Sequence, residues 1–173
     1  MGGEERVKRR LVILRHAKAE RGSSTDHERQ LTSRGRGDAI AAGRWLAENK
    51  YAPDLTLCST ATRAKETWVL AATELEDGIP TSYERTAYHA EVPDLMGLLR
   101  ETPDEVKTLL VIGHNPGLHY LVLGLIGSGP EALVRQAHEH LATAGLAVLE
   151  IPGTWSELAE SDAKLAEYAV ARG

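Results

Sequence analysis

Two apolar runs in this chain each end in a histidine. Leu11-Val12-Ile13-Leu14 leads directly into Arg15-His16, and Leu109-Leu110-Val111-Ile112 leads into Gly113-His114-Asn115-Pro116-Gly117. Each reads as a buried strand running out into a polar loop. Ligands of open α/β sheets bind just beyond the carboxyl ends of the strands. Two imidazoles and a guanidinium therefore meet in one cleft, and that set suits a phosphate group. A third segment adds to it. Leu55-Thr56-Leu57-Cys58 reads as a strand, followed by a helix start at Ser59-Thr60-Ala61-Thr62-Arg63-Ala64. With Ser59 or Thr60 as N-cap, Arg63 sits about one turn in and reaches an anion held near the helix N-terminus.

The chemistry follows from the residue types. A neutral imidazole at His16 can attack phosphorus and split one hard displacement into two easier ones. Its ordinary pKa lies near neutrality, so a useful fraction is uncharged. Arg15 and Arg63 offer planar, always-charged forks for the phosphoryl oxygens. His114 can donate to the same phosphate or to the leaving oxygen. The bland readings are loop histidines and, for Arg63, a helix-surface arginine paired with Glu66. The coincidence of three such strand ends favours the functional reading.

The elements that must position these residues alternate strand and helix, which is the pattern of an α/β layered domain. Strands are expected at Leu11 to Leu14, Asp54 to Cys58, Pro80 to Thr86, Thr108 to Ile112 and, last, Gly145 to Ile151. Helices are expected from a Thr32 cap to about Asn49 with Ile40, Ala41, Trp45 and Leu46 inward. Others run from about Thr60 to Glu74 with Ala64, Val69 and Trp68 buried, from Pro93 to Arg100, after Pro116, and from Trp155 to Val170. Gly127-Ser128-Gly129-Pro130 reads as a break.

Composition narrows the function classes. The chain has 173 residues, 42% hydrophobic and 26% charged, which suits one domain with its own core. Residues 1–10 read as a loose N-terminal extension. A net charge of −5, no Phe and scattered Trp and Tyr argue against nucleic acid. No apolar run reaches the length of a membrane span, and the start lacks a secretory signal's apolar core. One cysteine, Cys58, cannot form an internal disulfide, so the cytoplasm and a monomer are the default expectations. No metal is expected. His114 and His119 are five apart, about 140° around a helix, and no clustered Cys/His pattern appears. Cys58 lacks the C-x₅-R spacing of a cysteine phosphatase and reads as a core thiol.

Taken together, Arg15-His16-Ala17, Ser59-x-x-x-Arg63-Ala64-x-x-Thr67 and Gly113-His114-Asn115-Pro116 resemble the histidine phosphatase, or phosphoglycerate mutase-like, superfamily. Arg15-His16-Ala17-Lys18 and Asp26-His27-Glu28-Arg29-Gln30-Leu31-Thr32-x-x-Gly35 look most like its SixA branch of phosphohistidine phosphatases. The resemblance covers about Leu11 to Ile151. It implies a three-layer αβα sandwich with a mostly parallel central sheet. It also implies a metal- and cofactor-free phosphatase with His16 as nucleophile and Arg15, Arg63, His114 and Arg29 on the phosphate. Many members use a glutamate after the third strand as general acid. Here Glu84, His89 and Glu91 all stand in that region, and the sequence does not choose among them. Ala17 replaces the superfamily's commoner glycine, which raises the question of its backbone angle. Lys18, Arg21 and Arg29 could meet an acidic substrate surface, and Thr143 could line the cleft. No insertion is long enough to cap the cleft, which favours a phosphorylated protein carrying phosphohistidine. A small phosphorylated metabolite, or phosphate binding without turnover, are the alternatives.

Overall fold

The computed structural model describes residues 8–22 and 25–173. Its centre is a seven-stranded sheet: β1 (Arg9–Arg15), β2 (Leu55–Ser59), β3 (Thr81–Glu84), β4 (Thr108–Gly113), β5 (Ile126–Ser128), β6 (Gly145–Ile151) and β7 (Ala163–Val170). The order is β3-β2-β4-β1-β6-β7-β5. Pairs β3-β2, β2-β4, β4-β1 and β7-β5 are parallel, while β6 runs antiparallel to β1 and β7. Five helices complete the fold: α1 (Ser33–Glu48), α2 (Thr62–Ala72), α3 (Val92–Arg100), α4 (Gly117–Leu125) and α5 (Glu131–Glu139).

The central strands are apolar on both faces because both faces are covered. Alternate residues sort the layers. Leu11, Ile13, Leu57, Leu109 and Val111 pack with α3, α4, Ala137 and Trp155. Val12, Leu14, Cys58, Leu110 and Ile112 pack with Ala42 and Leu46 of α1 and Ala64, Trp68 and Ala71 of α2. This is the expected three-layer αβα sandwich. Trp155 is fully buried and its Nε1–H donates to the Val106 carbonyl at 2.9 Å.

Thr32 caps α1 as the sequence indicates, its hydroxyl accepting from the Gly35 N–H at 2.9 Å. Elsewhere the structure corrects the expectation. β1 begins at Arg9, so Arg9 and Arg10 belong to the sheet; residues 1–7 of the expected extension lie outside the described residues. The second helix starts at Thr62 with Ala61 as N-cap, and the Ser59 hydroxyl accepts from the Ala61 N–H instead. Val69 is 57% exposed, and Trp68 and Ala71 take the inner face. The break at Gly127 to Pro130 contains β5, with α5 after it. The largest correction is Trp155 to Val170. It forms one short turn, Trp155–Glu157, and then strand β7. The Ala- and Glu-rich composition favours a helix locally, but the open side of β6 captures the segment.

Helices α1 and α2 approach backbone to backbone at Gly43, where a Cβ would lie 2.1 Å from the Ala71 carbonyl oxygen. Gly43→Ala should therefore destabilise the fold by about 1–3 kcal/mol, the usual cost of overpacking. Gly97→Ala in α3, where a Cβ meets nothing within 4 Å, should be neutral or stabilising. Thermal melts of the two variants test this, and equal midpoints would contradict the packing.

Candidate active site

The register of three neighbouring strands builds the site. Arg15 pairs with Gly113, and Cys58 with Ile112, so β1, β4 and β2 end level. The next residues, His16 and His114, therefore stand side by side at the carboxyl edge, with Ser59, the last residue of β2, one position behind them. The His16 N–H donates to the Gly113 carbonyl at 3.1 Å. The two imidazole centroids are 5.1 Å apart, and both side chains are buried.

His16 is held by one short hydrogen bond. Its Nδ1 lies 2.7 Å from the Ala17 carbonyl oxygen, so Nδ1 carries the proton and Nε2 keeps its lone pair. The Ala17 carbonyl is itself fixed. The Ala17 N–H donates to Thr67 Oγ1 at 3.0 Å, and that hydroxyl donates to the Arg63 carbonyl at 2.7 Å. Ala144 N–H faces the carbonyls of both Arg15 (3.0 Å) and His16 (3.1 Å). Ala17 does not take a positive φ, which answers the question its side chain raises. Burial pushes the His16 pKa down to about 4; Arg63, Arg15 and Arg29 add to that, and the bond to Ala17 opposes it. A histidine kept neutral with Nε2 free has the lone pair that nucleophilic attack requires.

His114 is held from the other side. Its Nε2 is 2.7 Å from Ser59 Oγ. That hydroxyl also accepts from the Ala61 N–H, so Ser59 ties the His114 ring to the loop that opens α2. Burial lowers the His114 pKa to about 3, with His16 and Arg63 contributing.

Arg63 lies in the first turn of α2 and is 4% exposed. It does not pair with Glu66, which instead accepts from the Leu31 N–H and faces Arg36. Its Nη1 donates to the Asp26 carbonyl at 2.7 Å and its Nη2 to Asp26 Oδ2 at 3.1 Å. Arg15 Nη1 donates to the Leu141 carbonyl at 3.1 Å. Four buried atoms in this cluster have no protein partner: Arg15 Nε, Arg63 Nε, His114 Nδ1 and Asn115 Oδ1. The two guanidinium Nε–H groups are donors, and buried donors are normally satisfied. Such a pair of cationic donors can hold an anion.

Arg29 is at the rim. Its Nε and Nη2 are on Asp26 Oδ1 at 3.1 and 2.9 Å, and its Nη1 is on the Glu20 carbonyl. The three acid candidates separate. Glu84 pairs in register with Ser59, but its carboxylate accepts from Ser82 Oγ at 2.7 Å. Glu91 is the N-cap of α3, its N–H on Asp94 Oδ2 at 3.0 Å. His89 stands at the mouth, 68% exposed, with Nε2 3.6 Å from Asp26 Oδ2.

The residues that sequence reasoning passes over are Asp26, Tyr88 and the second roles of Ser59 and Thr67. Asp26 collects Arg63, Arg29 and the Tyr88 hydroxyl (2.6 Å) on one carboxylate, which holds its pKa well below the usual range. Tyr88 sits edge-on to His114 (5.5 Å) and His27 (4.7 Å). Asp26 stands in a quoted motif stretch, so a signal existed; Tyr88 had none beyond adjacency to His89. Lys18 and Arg21 are exposed, and the Thr143 carbonyl accepts from Arg172 Nη1. Cys58 is a buried thiol pushed up to about 12 by burial, as a core cysteine should be. Among the described residues, no cluster of three or more His, Cys, Asp or Glu is placed to hold a metal, and no helix is long and apolar enough to cross a membrane. A cavity of about 270 Å³, lined by Lys8, Ser128, Glu150, Asp162 and Lys164, lies at the opposite end of the sheet.

Comparison with known proteins agrees with this geometry. The sequence profile of the histidine phosphatase superfamily (branch 1) matches residues 11–101. An uncharacterized protein of Mycobacterium tuberculosis is 38% identical over 162 residues, 92% of this chain and all of that one. A proposed phosphohistidine phosphatase SixA from Nakamurella multipartitia superposes with a TM-score of 0.82 at 29% identity, covering 95% of this chain and 96% of that one. A phosphoglycerate mutase from Plasmodium falciparum shares the fold, with a TM-score of 0.64 at 16% identity over 96% and 94% of the two chains. The chain belongs to the histidine phosphatase superfamily. Within it, the protein falls in the SixA-like branch and is a hydrolase of the phosphatase type.

Two neutral, buried imidazoles make stability depend on pH. Their folded pKa values lie below the ordinary 6.5, so between pH 6.5 and about 4 the unfolded chain binds more protons. Stability should fall as pH drops through that window. Asp26, held low, adds its loss only below the ordinary carboxylate value of 3.8. Thermal midpoints of His16→Gln and His114→Asn should each show a shallower slope from pH 6.5 to 4. An unchanged slope would mean that these imidazoles are not desolvated.

Proposed function

We propose that the protein removes phosphate from phosphohistidine on another protein, through a phosphoryl intermediate on His16 Nε2. The observation that carries the reading is the free Nε2 of His16 beside two unpartnered cationic donors, Arg15 Nε and Arg63 Nε, and the unpartnered Nδ1 of His114. Nε2 attacks phosphorus, and the bond to the leaving group breaks. Water then attacks the phosphoryl-His16 and returns the electron pair to Nε2. Arg15, Arg63 and His114 hold the equatorial oxygens through both steps. Positioning and charge stabilisation are the main demands of such a transfer. Two guanidiniums supply the charge that a cation would otherwise bring, so activity should persist in EDTA.

Two observations support a protein-borne phosphohistidine. The relatives at 29% identity are proposed SixA phosphohistidine phosphatases. The glutamates that would protonate an alcohol, Glu84 and Glu91, are turned to Ser82 and to the cap of α3. Arg29, Lys18 and Arg21 on the entry segment can meet the acidic surface of a partner.

The decisive experiment offers the purified protein a labelled phosphohistidine protein and a panel of phosphate esters, quenches early and maps the label. Label on His16, lost in His16→Ala, supports the reading. Turnover without label at His16 overturns it, and binding without turnover in every substrate would leave only a phosphate-binding module. Arg63→Lys should lower kcat by roughly 10²-fold or more, the scale of losing one preorganised donor, because lysine keeps the charge but cannot hold Asp26 with two nitrogens and present a third to phosphate. Arg36→Lys, half-exposed and 3.9 Å from Glu66, should be nearly silent. Similar small effects at both positions would remove Arg63 from the phosphate site.

A further inference from the structure

The phosphatase reading leaves one chemical task without an owner: a proton must reach the departing atom. Asp26 cannot supply it. Its carboxylate is occupied by Arg63, Arg29 and Tyr88, which stabilise the ionised form. Glu84 and Glu91 are committed elsewhere, as described above. His27 has its Nε2 on Thr60 Oγ1 at 3.0 Å.

His89 remains, and several independent features place it at the mouth. Its ring lies against Tyr88, with centroids 3.9 Å apart, and Tyr88 in turn is edge-on to His114. The next residue, Ala90, presses its carbonyl onto the start of α4, where a Cβ on Gly117 would come within 2.3 Å of that oxygen. This close approach ties the His89 turn to the His114-Asn115-Pro116-Gly117 segment. The backbone at His89 has φ 54, a left-handed conformation that costs energy in a residue other than glycine. Strained residues of this kind persist where the surroundings over-determine them and cluster at functional sites. Behind the ring, Asp26 Oδ2 is 3.6 Å from Nε2, close enough to orient it.

We propose that His89 is the general acid of phosphoryl transfer and the general base of hydrolysis, with Asp26 as its positioning partner. This rests on the phosphatase reading above. In the first step His16 Nε2 forms a bond to phosphorus. The bond to the leaving atom breaks, its electron pair stays with that atom, and protonated His89 gives it a proton. In the second step water attacks the phosphoryl-His16, the P–N bond returns its pair to His16, and the now neutral His89 takes a proton from the water. The sum is substrate plus water giving leaving group plus inorganic phosphate. The proposal makes a specific claim about substrates. Leaving groups that depart as stable anions, or as imidazoles already protonated on their second nitrogen, need little from His89; alcohols need it most.

The test is a leaving-group series with His89→Asn. Asparagine tolerates the left-handed backbone yet cannot serve as a proton donor of this kind. Phenyl, 4-nitrophenyl and 2,4-dinitrophenyl phosphates are compared with a phosphohistidine protein, reading kcat/KM, which reports the first irreversible step. The variant should lose roughly 100-fold or more on phenyl phosphate, within the usual range for acid catalysis, and less than about tenfold on the dinitrophenyl ester. A uniform loss across the series, no loss at all, or the same graded loss in His27→Asn with His89→Asn unaffected would each overturn the proposal. If wild type turns over only phosphohistidine, the hydrolysis of labelled phosphoryl-His16 is followed instead, and an unchanged rate of label loss in His89→Asn overturns the base role and the proposal with it. Wild type inactive on every substrate would instead sink the phosphatase reading, and this proposal with it.

Discussion

A buried hydrogen bond of 2.7 Å from His16 Nδ1 to the carbonyl of Ala17 is the constraint on which the site depends. An imidazole has two nitrogens and one proton when neutral, so fixing the proton on one nitrogen decides what the other can do. Here the acceptor is the backbone of the next residue, and much of the local architecture keeps that carbonyl in place. Thr67 holds the Ala17 N–H and, through the Arg63 carbonyl, ties it to α2. Ala144 holds the carbonyls just before it. Gly43 lets α1 lie close enough to α2 to support the helix that supplies both Thr67 and Arg63. A long stretch of the fold thus serves to aim one lone pair.

Electrostatics and burial pull the same way. Desolvation alone drives both site histidines toward the neutral form, and the nearby guanidiniums push further. One carboxylate, Asp26, answers Arg63 and Arg29 together. The cluster Arg15, Arg63, Arg29 and Asp26 therefore keeps a surplus of positive charge in a chain whose net charge is −5. Partly buried charges at short range dominate distant screened ones, so the bulk sign of the protein does not govern what binds here. The donors left without protein partners define where the incoming negative charge is stabilised.

Much of this was legible in the sequence, for physical reasons. Parallel strands covered on both faces must be continuously apolar, so β1, β2 and β4 announce themselves, and their ends mark the site. Thr32 caps α1 because a hydroxyl three residues before a free N–H has one natural use. What stayed hidden depends on contacts across long separations. Asp26 gathers Arg63 and Tyr88 from segments 37 and 62 positions away, and no local pattern encodes that meeting. Strand β7 was masked by helix-favouring residues, because its conformation is set by pairing with β6 rather than by its own propensity. Ser59 suggests a helix cap, yet its hydroxyl does more by lying 2.7 Å from His114 Nε2 and orienting that ring.

The chemistry of the leaving group connects these features. A P–N bond to an imidazole protonated on its second nitrogen breaks to release a neutral, weakly basic heterocycle, whereas a P–O bond to an alcohol releases a strong base unless a proton arrives in the transition state. A carboxylic acid can give that proton only where burial away from cations keeps it protonated. The carboxylate at this site is placed the other way. Its nearest carboxylate, Asp26, is partly exposed and is bound by two arginines and a tyrosine hydroxyl, all of which favour the anion. Such an environment is poor for an acid but good for holding Arg63 in alignment and for backing an imidazole. The same charge pattern that holds Arg63 in alignment thus keeps Asp26 ionised, so a leaving group that needs a proton must bring it or take it from an imidazole rather than from this carboxylate.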